Sequence, residues 1–206
     1  MYIPEFNRIE DQGVGVAFMR ANPFAILVSS NEGTPFATHL PVTAVEADGK
    51  LVVRAHVAKA NPHWKVLEQQ ESLLVFHGPH AYISPSLYEI RESVPTWNYA
   101  TVHAYGRGKI LAADNDKHKV LAELISQFDP AYLEQWNSFD EQYRRRMLNH
   151  IVAFEIPLSR IETKFKLSQN RTKAEQENII QALGPSPDPA ISGVADLMRK
   201  RGLGVK

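Results

Sequence analysis

Three extended, apolar segments follow one another at hairpin spacing near the start of the chain. Phe24-Ala-Ile-Leu-Val-Ser-Ser30 is a continuous apolar run of strand length. Asn31-Glu-Gly-Thr-Pro35 supplies a turn, and a second extended segment covers Phe36–Val45. Asp48-Gly49 supplies another turn into Lys50-Leu-Val-Val-Arg-Ala-His56. Connections this short join antiparallel neighbours, because a parallel crossover needs a dozen or more residues. Pro41 lacks an N–H, which places it at an edge, a bulge or a strand start. This pattern constrains the fold most: a small antiparallel barrel rather than a doubly wound sheet.

The remaining segments fit that frame. A short helix is expected over Ile9–Asn22, ended by Asn22-Pro23. Asn61-Pro62 reads as an N-cap followed by proline at the first helical position, with a helix over His63–Gln70. Strands are expected at Ser72–His77, Ala81–Ser84, Thr101–Ala112 and Ile151–Thr163, with Ser86–Val94 as a polar excursion. Gly106 and Gly108 mark a bulge or a close backbone approach. Asp114 is expected to cap a helix to Phe128, with Leu121, Leu124, Ile125 and Phe128 on its buried face. A second helix covers Asp140–Leu148. Beyond Asn170 the composition shifts. A polar helix over Thr172–Leu183, the linker Gly184-Pro-Ser-Pro-Asp-Pro189 and a terminal helix over Ile191–Arg201 form a tail. That tail is expected to be peripheral or to pack on another subunit.

Composition removes several chemistries. There is no cysteine among the 206 residues, so no disulfide, thiolate nucleophile or Cys-ligated metal is available. No apolar run approaches the roughly 20 residues that span a bilayer, and the first residues lack a signal-peptide pattern, so a cytoplasmic protein is expected. Lys plus Arg is 23 and Asp plus Glu is 23, a zero balance that argues against a general nucleic-acid coat. Arg144-Arg-Arg146 and Arg199-Lys-Arg201 read as solvated helix faces, with a DNA-phosphate patch as the sharper alternative. No His-Glu-x-x-His motif is present. His77 and His80 flank Gly78-Pro79, which breaks a helix, so spacing gives them no common face and no metal site is assigned.

Four segments carry more Asn, His, Trp, Tyr and Pro than turns require: Ala37–Pro41, Ala55–Trp64, Gly78–Pro85 joined to Val94–Tyr99, and Lys164–Arg171. Their chemistry suits a planar, anionic ligand. Trp64, Tyr82, Trp97 and Tyr99 offer ring faces. Lys59, Asn61, Lys166, Ser168, Gln169 and Arg171 offer donors for a phosphate, and Arg54 adds a bidentate fork. A helix starting at Asn61-Pro62 would add free backbone N–H groups. Helix capping by Asn61, with Trp64 as core, is the plainer reading of the same residues.

The same segments resemble the FMN-binding negative transcriptional regulator family, the PaiB type. The matching residues are Met1-Tyr-Ile-Pro4, Thr38-His-Leu-Pro41, Ala60-Asn-Pro-His-Trp64, Gly78–Ser84, Val94-Pro-Thr-Trp-Asn-Tyr99, Val102-His103 with Tyr105-Gly106, and Lys166-Leu-Ser-Gln-Asn-Arg171. The resemblance runs in order from residue 1 to about 171. It implies a split antiparallel β-barrel of the pyridoxamine-phosphate-oxidase-like type, mainly β with peripheral helices. It further implies FMN as cofactor, held at the subunit interface of a homodimer. Residues 1–171 then form the FMN-binding domain and 172–206 the helical tail. Thr38 and His39 are expected at the flavin ring edge, or His39 is simply a buried strand residue. Trp97-Asn98 is expected to line the ring or the dimer seam, with loop packing beside Pro95 as the plainer reading of Trp97. The expected function is a non-enzymatic regulator. A flavin oxidoreductase using NAD(P)H without direct DNA binding is the alternative, because one barrel supports both.

Overall fold

A computed structural model describes residues 1–47 and 49–204. Among them the order is β1 (Arg8–Ile9), α1 (Gln12–Ala21), β2 (Phe24–Asn31), β3 (Thr34–Pro41), β4 (Thr43–Ala47), β5 (Lys50–Ala58), β6 (Glu71–Ile83), β7 (Thr96–Arg107), β8 (Lys109–Leu111), α2 (Asp114–Phe128), α3 (Tyr132–Ser138), α4 (Glu141–Leu148), β9 (Ile151–Lys166), α5 (Lys173–Leu183) and α6 (Pro189–Lys200). The sheet runs β3-β2-β6-β7-β9-β5-β4, with β1 and β8 also paired to β9. The β2–β3, β2–β6, β4–β5, β5–β9, β1–β9 and β8–β9 ladders are antiparallel, and turn spacing predicts the β2–β3 and β4–β5 pairs among them. Asp48 of the expected Asp48-Gly49 turn lies outside the described residues. No helix of the described residues is long and apolar enough to cross a membrane.

The chain divides into two compact units. The first comprises Met1–Gly15, His77–Val102 and Glu162–Lys206; the second comprises Val16–Phe76 and His103–Ile161.

In the second unit, the extended run at 36–45 is two strands, not one. The chain breaks at Val42, which is buried and whose N–H bonds the Pro23 carbonyl. The resulting β3 and β4 occupy opposite ends of the strand order, so Pro41 ends an edge strand. The helix expected over 63–70 is only a 3₁₀ turn at Pro62–Lys65. A local reason is visible: the Leu67 carbonyl accepts from the Gly108 N–H at 2.9 Å instead of continuing a helix. Gly108 and Gly106 are sites of close approach, since a Cβ on Gly106 would lie 2.3 Å from the Pro157 carbonyl oxygen. On α2 the buried pair is Val120 and Leu124, packed with Ala153, while Phe128 is 53% exposed. The buried stripe is thus rotated from the one the sequence predicts. Asp114 lies inside the helix; Ala113 precedes it without a side-chain cap, and Asp114 pairs with Lys117 and Arg145. The short helix α3 lies in a stretch the pattern left unassigned.

In the first unit, the tail is part of the core. Ile179, Val194, Ala195 and Met198 are fully buried. Thr172 and Glu175 form a reciprocal capping box at the start of α5. Glu175 also accepts from the Glu89 N–H at 3.0 Å, and Gly193 sits so close to Pro79 that a Cβ would lie 2.8 Å from its ring. A peripheral tail would neither bury these side chains nor press on Glu89 and Pro79.

Candidate functional site

The expected site residues fall into two sets, one in each unit. In the second unit, β3 carries Thr38 opposite Leu27 of β2, and the 3₁₀ turn carries Asn61 and His63. They form one polar chain. Asn61 Nδ2 donates to Thr38 Oγ1 at 3.1 Å, and Thr38 Oγ1 meets His63 Nδ1 at 2.8 Å. His63 Nε2 meets Ser29 Oγ at 2.9 Å, and Ser29 Oγ meets Ser72 Oγ at 2.7 Å. His63 is 1% exposed, and burial lowers its pKa, which favours the neutral ring. A neutral imidazole has one donor and one acceptor, and each nitrogen has a hydroxyl partner here.

Asn61 Oδ1 accepts from the His63 backbone N–H at 3.0 Å. With that N–H engaged and the turn only four residues long, the anion-binding helix start expected at Asn61-Pro62 is not formed. Trp64 is half-buried rather than core, and its Nε1 donates to the Lys59 carbonyl. Lys59 itself is exposed, with no partner for its ammonium among the described residues. His39 is exposed rather than buried, its ring stacked 6.3 Å from Phe24. Arg54 is differently placed. Its guanidinium bonds Glu123 at 2.7 Å and Glu155 at 3.3 Å, beside a small cleft of about 180 Å³. Its charge is committed to two carboxylates.

In the first unit, β7 and the end of β9 bring the other residues together. Lys166 Nζ donates to Thr96 Oγ1 and has no carboxylate partner among the described residues. Asn98 is fully buried and exchanges two bonds with the Ser168 hydroxyl, at 3.0 and 3.1 Å. Ser168 holds φ at 60°, a left-handed position unusual for a non-glycine residue. The Gln169 side chain accepts from the Leu167 N–H and donates to the Phe165 carbonyl. Gln176 ties down the Ser168 and Arg171 carbonyls. The Arg171 guanidinium lies 3.7 Å over the Tyr88 ring and 3.9 Å from Glu175. Trp97 is 52% exposed, its ring stacked 6.1 Å from His80 and edge-on to Tyr82. His77 and His80 do share a face: their ring nitrogens approach to 3.1 Å.

Sequence spacing shows His63 at a helix start but gives no sign that Ser29, 34 residues upstream, meets its ring. Thr96 and Tyr88 were equally silent, since only folding brings them to Lys166 and Arg171.

The basic run on α4 is dispersed. Arg145 pairs with Asp114 at 3.4 Å, and Arg146 lies 5.7 Å from the Tyr143 ring centre. Arg144 and Arg145 help to line a polar cleft of about 480 Å³ that holds none of the expected site residues.

Residues 1–160 match the family model described as "Putative FMN-binding domain". The chain is 35% identical over 208 residues to "Protease synthase and sporulation protein PAI 2" of Bacillus subtilis (strain 168), covering 98% of both chains. The chain belongs to this FMN-binding family. Its fold is the split barrel, a mainly antiparallel curled sheet with helices. It is similar to the flavocytochrome Anf3 of Azotobacter vinelandii, with a TM-score of 0.64 and 18% identity over 80% of this chain and 72% of that one. It is also similar to the FAD and heme binding protein of Mycobacterium smegmatis, with a TM-score of 0.62 and 14% identity over 79% and 74%. FMN is the cofactor of the family, and the donor sets suit it. Lys59 and Lys166 carry charge without a carboxylate partner, and Trp97 presents an open ring face.

Proposed function

We propose that this chain is a homodimeric, cytoplasmic negative transcriptional regulator of the PaiB type that binds FMN at its subunit interface. The observation that supports the regulatory reading is the end-to-end likeness to "Protease synthase and sporulation protein PAI 2". Bound FMN supplies one- and two-electron redox chemistry. The chain's own residues hold and orient it. In the second unit, Lys59 supplies charge to the phosphate. Thr38, His39 and the remaining N–H of Asn61 offer polar contacts, with His63 bracing Thr38 from behind. In the first unit, Lys166 and Arg171 supply cations and Trp97 a ring face. Asn98, Ser168 and Gln169 act by shaping the loop that carries them. Arg54 supports its own sheet through Glu123 and Glu155. Exposed Tyr2, Phe6, Ile90 and Val94 of the first unit are apolar surface that suits coverage by a second copy.

The test is a set of measurements on the purified protein. FMN fluorescence should be quenched at one flavin per chain, and light scattering should give twice the chain mass. Anaerobic NADH or NADPH should leave the flavin oxidised over minutes. Rapid bleaching would replace this reading with an NAD(P)H-linked flavin oxidoreductase. Transcript levels in cells that carry the Lys59→Ala, Lys166→Ala chain should depart from those with the native chain; identical profiles would sink the regulatory reading.

A further inference from the structure

His77 and His80 lie on β6, three residues apart. In an uninterrupted strand such residues face opposite ways, because side chains alternate. The burial pattern of β6 shows why these do not. Ser72, Leu74 and Phe76 are buried in its first half, and Ala81 and Ile83 in its second. The alternation slips by one residue across Gly78-Pro79, as at a β-bulge, and Pro79 has no N–H for a ladder. The slip turns both imidazoles to the same outward face. Their rings stand 4.7 Å apart, with His77 Nε2 3.1 Å from His80 Nδ1. The Gly78 carbonyl oxygen lies 3.2 Å from the same His80 nitrogen. A carbonyl only accepts, so His80 Nδ1 carries the proton and shares it between Gly78 O and His77 Nε2.

Two imidazole nitrogens bound to one zinc-like ion at 2.0–2.1 Å, subtending 90–109°, stand about 2.8–3.4 Å apart. The observed 3.1 Å lies inside that range. We propose that His77 Nε2, His80 Nδ1 and the Gly78 carbonyl form an open site for a borderline divalent transition cation of the zinc or nickel class. On binding, the shared proton moves to the far nitrogen of the His80 ring, and both facing lone pairs turn to the metal. Among the described residues no group of three or more His, Cys, Asp or Glu converges, so the remaining coordination positions are open to water or an added ligand. Imidazole nitrogens select such cations over magnesium, which prefers oxygen.

This site does not depend on the flavin reading, and its test reads the metal directly. Calorimetric titration of the purified protein, without added FMN, with Zn²⁺, and separately with Ni²⁺, should show one site per chain, with no heat from Mg²⁺. His77→Ala and His80→Ala should each weaken binding at least roughly tenfold, because each removes one of two nitrogen ligands. Because Trp97 stacks on His80, Ni²⁺ should quench its emission, and Trp97→Phe should lose that quenching while keeping the calorimetric site. Unchanged affinity in both histidine variants overturns the proposal, as does Mg²⁺ binding of equal strength or no Zn²⁺ binding in the micromolar range.

Discussion

Lys59 and Lys166 have no carboxylate partner among the described residues, whereas Arg54 has two. A charge-assisted bond to a phosphate is worth roughly 1.5–3 kcal/mol. Lys59→Ala and Lys166→Ala should therefore each weaken FMN about tenfold to a hundredfold, as read by flavin fluorescence. Unchanged affinity would move the phosphate elsewhere. His63 makes a second residue-scale prediction. Burial lowers its folded-state pKa below the ordinary value of about 6.5. As pH falls below that value, the unfolded chain takes up a proton that the folded chain resists. Stability is thus complete above about 6.5 and is lost as pH drops through the folded-state pKa. Replacing His63 by Gln should flatten the acid limb of the Tm–pH curve and cost roughly 1–3 kcal/mol, since Ser29 and Thr38 lose a fitted partner. Residue types were legible in the sequence; their commitments were not. Ser168 reads as a phosphate donor and Asn98 as a ring or seam residue, whereas folding joins the two across 70 positions and commits both to the loop.

At the scale of elements, turn spacing carried the most information, because a short connection admits few geometries. The β2–β3 and β4–β5 hairpins follow from it. What failed was decided by partners distant in sequence. The 63–70 segment has helix-like punctuation, yet Gly108 claims the Leu67 carbonyl. On α2, Ala153 packs against Val120 beside the expected Leu124, while Leu121 and Ile125 are half-buried and Phe128 is exposed. Gly106 shows the same dependence from the other side. A methyl group there would press on the Pro157 backbone at 2.3 Å, and backbone yields less readily than a side-chain tip. Gly106→Ala should destabilise by roughly 1–3 kcal/mol, the cost of overpacking, with a lower Tm and an unchanged far-ultraviolet spectrum at 25 °C. An unaltered Tm would mean that β7 and β9 can part there without penalty.

For the whole chain, the balance of 23 cations against 23 anions sets the terms of any DNA contact the regulatory proposal entails. A regulator that grips phosphates spends several cations on them, and each neutralised phosphate adds about −0.9 to the log–log slope of affinity against salt. The tightest run, Arg144-Arg-Arg146, was open in the sequence to either a solvated face or a phosphate patch. Folding divides it, because helical neighbours point about 100° apart. Arg145 turns to Asp114 and Arg146 to Tyr143, so the three do not present one cationic stripe. Replacing all three by alanine should therefore leave the salt slope of any DNA binding changed by less than about one, measured by fluorescence anisotropy between 50 and 200 mM salt. A run that gripped three phosphates would lose about 2.7 from the slope instead. That larger loss would make α4 a DNA-contacting helix and return the basic run to the centre of the regulatory reading. The smaller one leaves any direct DNA contact to cations outside α4.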